Sequence, residues 1–179
     1  MKHALALTFL LGGSSVVYGQ AMPTASRTAD AQIGGGYSIA RPGYAPQTFP
    51  GFTAYADFDF RSHLGAEAEF HQVYSTRGDG SYERSYEIGG RYFRTYGRVV
   101  PYVKAMIGRG DFNYPFGNAD LAYTLYAGGA GADFKLGPFL RIRAEYELQK
   151  WTNFPNGGLT PQIVTFGIAY HLAGKAGSR

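Results

Sequence analysis

Leu140-Arg141-Ile142-Arg143-Ala144-Glu145-Tyr146-Glu147-Leu148 changes character at every step: its even positions are apolar and its odd positions are charged. Side chains alternate across an extended strand, so this period of two gathers Leu140, Ile142, Ala144, Tyr146 and Leu148 on one face. Arg141, Arg143, Glu145 and Glu147 share the other, with Gln149 continuing it. A helix would mix the two sets on every side. The stretch is therefore a strand standing between an apolar and a polar medium.

The same division recurs along the chain. Phe52, Ala54, Ala56, Phe58 and Phe60 alternate with Thr53, Tyr55, Asp57 and Asp59; Leu64, Ala66, Ala68 and Phe70 alternate with Glu67, Glu69 and His71. Tyr82, Tyr86, Ile88 and Tyr92 alternate with Glu83, Ser85, Glu87 and Arg91, and Val99, Val103, Ala105 and Ile107 with Tyr102, Lys104 and Met106. The last segment sets Gln162, Val164, Phe166, Ile168, Tyr170 and Leu172 against Thr165, Gly167 and His171. Ala31 to Ala40 and Tyr123 to Lys135 are glycine-rich and alternate less cleanly, but have strand length. That makes eight segments near the roughly 9–11 residues with which a tilted strand crosses a bilayer.

Short links at 61–63, 95–98 and 136–138 alternate with mostly longer ones at 41–51, 77–81, 109–121 and 151–161. An up-and-down barrel in an outer membrane has short periplasmic turns and long outer loops. The expectation is an all-β, eight-stranded antiparallel transmembrane barrel with both termini in the periplasm. A soluble lipocalin-like barrel also alternates, but would turn its charged face to water and its apolar face to an internal cavity.

Composition agrees with strands that see two solvents. The 179 residues include 26 Gly, 15 Tyr and 13 Phe but no Cys, which excludes disulfides, thiolate metal sites and thiol nucleophiles. A net charge of +4, without a concentrated basic run, gives no reason to expect nucleic acid as a partner. Residues 1–21 read as a Sec-type signal peptide. Lys2 precedes the apolar run Ala4 to Leu11, and small residues allow cleavage after Gly19 or Ala21. Residues 22–179 are then the barrel with a short periplasmic C-terminal tail.

If the apolar faces meet lipid, the inward faces carry Asp57, Asp59, Glu67, Glu69, Glu83, Glu87, Asp133, Glu145 and Glu147, nine of the thirteen acidic residues. Arg91, Lys104, Arg141 and Arg143 have the same inward parity. Eight strands enclose a space that side chains can fill, so the reading favours a paired, packed polar lumen over an open channel. Arg84 and Lys150 have lipid-facing parity near the outer rim, where they either snorkel or meet lipopolysaccharide phosphates. Tyr74, Tyr82, Tyr123, Tyr126 and Trp151 are expected in the aromatic girdle there. Phe112, Tyr114 and Phe116, in the loop read as 109–121, are expected as exposed surface contacts.

Thr165-Phe166-Gly167-Ile168-Ala169-Tyr170-His171-Leu172 resembles the polar-x-Gly-x-x-aromatic-x-hydrophobic signal of a final strand. With the eight segments, the chain resembles the family of small eight-stranded outer-membrane proteins, the barrel type shared by outer-membrane protein A and its adhesion and serum-resistance relatives. Family members usually end on the signal, whereas this chain continues from Ala173 to Arg179. The resemblance implies export, insertion by the barrel-assembly machinery and a bacterial outer-membrane location.

Catalytic, metal and cofactor sites are not expected. His71 shares its face with Glu69 and Ser75, but alternate residues of one strand lie near 7 Å apart, which the reading takes as too far for a nucleophile's hydrogen bonds. Lipid A deacylases of the outer membrane carry a His-x-Ser arrangement that this chain lacks. Arg109-Gly110-Asp111 is read as a chance tripeptide, Gly34-Gly35-Gly36 as strand packing and Asp79 as a turn residue. The function expected is an envelope structural and surface-interaction protein, monomeric, in contact with outer-membrane lipid and lipopolysaccharide. A host or matrix ligand would bind through its outer loops. The alternative is a small or gated pore for ions or small solutes; a lipid-modifying enzyme is the third reading.

Overall fold

The computed structural model describes residues 30–44, 46–76, 80–114, 119–152 and 158–172. The signal-peptide and C-terminal-tail readings lie outside these residues. Eight strands run β1 (Asp30–Arg41), β2 (Phe49–Asp59), β3 (Leu64–Tyr74), β4 (Tyr82–Phe93), β5 (Val99–Tyr114), β6 (Ala119–Lys135), β7 (Leu140–Trp151) and β8 (Gln162–Leu172). Each pairs antiparallel with the next and β8 closes on β1, from Ala31 opposite Leu172 to Arg41 opposite Gln162. Closure gives every strand two paired edges, so no row of unsatisfied amides faces lipid or a neighbouring chain. All eight segments read from the sequence are strands, and no helix occurs among the described residues.

The links fall into two sets. Those at one end, 60–63, 94–98 and 136–139, are four or five residues long, and β1 begins and β8 ends beside them. Those at the other end are 42–48, 75–81, 115–118 and 152–161. The third corrects an expectation. Instead of a loop over 109–121, β5 and β6 stay paired from Arg109 opposite Thr124 to Tyr114 opposite Ala119, forming a hairpin that overreaches its neighbours. Asp111 thus lies within a strand.

Burial is inverted relative to a water-soluble protein. Arg143, Arg91, Glu67 and Asp133 are at most 1% exposed, whereas Ile88 is 62% and Phe166 and Ile168 are each 58% exposed. Ile33, Tyr37, Phe52, Phe58, Val103, Ile107 and Tyr170 extend the outer apolar belt. An apolar band around the whole molecule far exceeds the patches soluble monomers tolerate, and it suits a hydrocarbon surround.

Inward-facing glycines make room for the large lumen side chains. A Cβ on Gly34 would stand 2.5 Å from Tyr55 Cζ, and one on Gly131 would stand 2.6 Å from the Tyr102 hydroxyl. Buried apolar groups cluster toward both ends of this interior. Ala40, Phe49, Val73 and Ile163 cluster at the long-link end, beside a second cluster of Tyr123, Leu125, Trp151 and Leu159; Phe93, Val100 and Tyr102 cluster at the other.

Candidate functional site: the charged lumen

The barrel brings most of the inward-parity ionic residues into one contiguous network. Arg143, on β7, is its hub. Its Nη2 lies 2.5 Å from Asp57 Oδ2, its Nε 2.8 Å from Asp133 Oδ1, and its Nη1 3.3 Å from Glu67 Oε1. The guanidinium lies over the Tyr55 ring at 3.8 Å and near the Tyr102 ring at 4.8 Å. Arg91, on β4, pairs with Asp57, reaches Asp133 at 3.3 Å and Glu67 at 3.5 Å, and faces the Tyr102 ring at 4.6 Å. Planar guanidiniums can serve several carboxylates and stack on rings at once, a role a lysine ammonium fills poorly.

One layer further toward the long-link end, Lys104 Nζ is ringed by carboxylates. It lies 2.7 Å from Glu145, 2.8 Å from Glu147 and 3.2 Å from Glu67, and also pairs with Glu69. The Tyr102 hydroxyl donates to Glu145. Above this, Gln149 Nε2 donates to Glu87 at 2.8 Å and Glu147 at 2.9 Å, Ser85 donates to Glu87 at 2.7 Å, and Trp151 Nε1 donates to Gln149 Oε1 at 2.8 Å. Glu83 sits nearest the mouth and accepts from the Tyr44 hydroxyl at 2.7 Å. Tyr44 in turn makes edge contacts with Phe49 and Phe112.

Two expected members sit at the network's margin. Asp59 reaches only the Arg91 Nε, at 3.8 Å, and Arg141 pairs at 3.3 Å with Asp30, which His171 also approaches. Gln32, Thr53, Tyr55, Ser85 and Gln149 belong to the buried lumen although they were not among the candidates. Their inward parity was the available signal. Gln32 donates to Asp57 and, at 3.0 Å, to Asp133, while Thr53 donates to Glu69 at 3.1 Å.

Several placements differ from expectation. Trp151 is 1% exposed and Tyr123 9%, so both pack inside rather than in the girdle. They share the odd, inward parity of Arg141 to Gln149 and of Leu125 to Asp133. A Cβ on Gly110 would strike the Trp151 ring at 2.7 Å, so that glycine makes room for the indole. Phe112 is partly buried against the same cluster rather than exposed, because its even parity on β5 turns it inward. The side chain of Tyr114, and Phe116 altogether, lie outside what is described. Glu69 and His71 do meet, Oε1 to Nε2, at 3.2 Å, because long side chains lean along the strand and bridge the spacing of their Cα atoms.

On the outer surface, Arg84 is half-buried beside Gln72, its Nε donating to Oε1 at 3.1 Å, and its guanidinium lies 5.0 Å from the Tyr82 ring. Lys150 is exposed, opposite Tyr126 in the β6–β7 register. Arg109, exposed on β5 and paired with Asp111 at 2.8 Å, and Arg41, at the end of β1, add two cations to this rim.

Comparison with known proteins places this geometry. Neisserial surface protein A superposes with a TM-score of 0.63 at 12% identity, covering 80% of this chain and 96% of that one. Ail, the attachment invasion locus protein of Yersinia pestis, gives 0.58 at 20% identity, covering 80% and 98%. OprG of Pseudomonas aeruginosa gives 0.56 at 14%, covering 82% and 97%. No curated protein matches in sequence. A family model described as the outer membrane protein beta-barrel domain matches residues 7–171, and with the closed eight-stranded barrel, its apolar belt and its charged interior, the chain belongs to that family of outer-membrane proteins.

Proposed function

We propose that the protein is a closed, non-enzymatic envelope barrel that anchors and presents a surface at its long-link end, with a lumen that serves stability rather than conduction. One observation carries this reading: Arg143 is fully buried with each guanidinium nitrogen paired to a carboxylate, in a lumen with buried apolar clusters toward both ends. An ion crossing would have to displace Arg143 and Lys104 from their partners and pass Trp151 and Phe49. Buried charges separated from their partners cost several kcal/mol each, an unfavourable route for steady current. The chain reaches its place by Sec-type export and assembly-machinery insertion, with the long-link end outward. Planar-bilayer recording of the refolded protein is the test. A silent membrane is expected; discrete conductance steps that change size in Glu145→Gln would replace this reading with a gated pore.

The rim cations Arg41, Arg84, Arg109 and Lys150 support lipopolysaccharide as the lipid partner. They stand outward beside Tyr74, Tyr82 and Tyr126, where headgroup phosphates would lie. A surface cation near an anionic headgroup contributes about 1 kcal/mol, or about five-fold in affinity. Arg84→Gln together with Lys150→Gln is therefore expected to weaken association with lipopolysaccharide-containing vesicles by more than tenfold while leaving insertion into zwitterionic vesicles intact. Equal association of variant and parent would reduce both residues to snorkelling side chains.

A further inference from the structure

His71 is among the least satisfied polar side chains of the lumen. It is 2% exposed, and neither ring nitrogen makes a hydrogen bond of acceptable geometry with any described residue. A buried imidazole that lacks well-aligned hydrogen bonds forfeits interactions it would have had in water. Yet its Nε2 points at two carboxylates, 3.2 Å from Glu69 Oε1 and 3.7 Å from Glu147 Oε1.

Those spacings have a simple chemical meaning. Zinc binds imidazole nitrogen and carboxylate oxygen at about 2.0–2.2 Å, so in a tetrahedral shell two such ligand atoms stand roughly 3.3–3.6 Å apart. The imidazole nitrogen thus stands close to ion-bridged spacing from each carboxylate, and all three atoms lie within 4.8 Å of one another, reached from alternate positions on β3 and from β7 across the lumen. Each carboxylate uses its other oxygen for Lys104, which fixes its orientation from behind. This is the supporting arrangement that metal ligands need.

Charge points the same way. Glu69, Glu87 and Glu147 occupy one level, Glu69 lying opposite Glu87 in the β3–β4 register. Among the described residues, the only permanently charged group within ion-pair distance of these three is Lys104. Glu87 Oε2 also lacks a hydrogen-bond partner. Three carboxylates against one ammonium leave a deficit, which either a proton on His71 or a divalent cation in its place would offset. Beside the imidazole lies a cavity of about 10 Å³, lined also by Ser85, Gln149 and Trp151, about the space of one water.

We propose that Glu69, His71 and Glu147 form a lumen site for a single divalent transition-metal ion of the zinc class. Mixed imidazole and carboxylate ligands suit such an ion better than magnesium or calcium, which prefer oxygen alone. The ion cross-links β3 to β7 from inside. The site departs from the expectation that this chain has no metal centre, and it is independent of whether the lumen conducts.

The site is sealed once the barrel has closed, so metal is offered during refolding. The protein is refolded in detergent with cobalt(II), a spectroscopic stand-in for zinc, or with magnesium, and freed of loose metal by gel filtration. Folding is verified by the gel-mobility shift between boiled and unboiled samples. The expected result is one cobalt retained per folded chain, with visible absorption bands of a low-symmetry four- or five-coordinate ion. His71→Gln and Glu147→Gln should lose both retention and bands, and His171→Gln should keep them. Failure of the folded parent protein to retain cobalt overturns the site, whatever the variants do. So does retention by folded His71→Gln or Glu147→Gln equal to that of the parent.

Discussion

Arg143→Ala is expected to lower the unfolding free energy by about 3–5 kcal/mol, the cost of removing one partner from a buried ion pair. The loss has two sources. Asp57, Asp133 and Glu67 would remain buried, with Arg91 and Lys104 as their remaining charged partners, and the Tyr55 and Tyr102 rings would lose the guanidinium packed between them. Arg141→Ala is the matched control. It has the same residue type on the same strand and is itself 8% exposed, but its partner Asp30 is 37% exposed at the side chain, so its loss strands no buried carboxylate and the expected cost is smaller, about 1 kcal/mol. The measurement is urea unfolding in lipid vesicles. Trp151 is the only tryptophan in the chain and is 1% exposed between Tyr123 and Leu125, so its emission reports opening of the barrel. If Arg143→Ala unfolds at the same urea concentration as Arg141→Ala, the lumen is held by something other than its central ion network.

The contrast between these two arginines shows where sequence reading succeeds and where it stops. Parity places both inside, since the alternation on β7 is chemically clean on both faces. It cannot say which carboxylate each one finds, because only Asp133 comes from the neighbouring strand β6, directly opposite Arg143, while Asp57 on β2 and Glu67 on β3 converge on it from strands far apart in sequence. The depth of a residue along its strand decides its neighbours. That depth follows from register around the closed barrel, which no single segment encodes.

The misplaced residues have physical reasons too. The alternation of β5 ends at Ile107 because beyond it the outward positions are Arg109 and Asp111 rather than apolar residues. Above the hydrocarbon the outer face meets water, so the alternation fades although backbone pairing continues to Tyr114. Residue type alone points Trp151 to the interfacial girdle, whereas its odd position puts it on the inward face of Glu147 and Gln149. Gly129 and Gly131 weakened the pattern of β6 for the opposite reason. Their missing side chains leave space that Lys104 and Tyr102 occupy from the neighbouring strand, so the inward face is filled by residues from elsewhere.

Ile88→Arg is expected to have the second large effect, a loss of about 2–4 kcal/mol in lipid vesicles, the cost of placing arginine at the membrane midplane on an outer-membrane barrel. Ile88 is the most exposed large apolar residue among the described residues, at 62%, and stands near the middle of β4 between Ala68 and Ile107. In hydrocarbon, the substitution exchanges a favourable contact for a desolvated charge that must snorkel several residues along the strand to find headgroups. Had the barrel been a soluble one, the same position would face water, and exchanging an exposed isoleucine for arginine would change stability by no more than about 0.5 kcal/mol. Tyr126→Arg provides the depth control. It lies at the rim opposite Lys150, where an added cation costs about 0–1 kcal/mol. A penalty at Ile88 that shrinks at Tyr126 maps the hydrocarbon onto the outer belt and fixes the rim cations at the headgroup level. Equal, negligible effects at both positions would remove lipid from the outer face, and with it the reason for a charged interior.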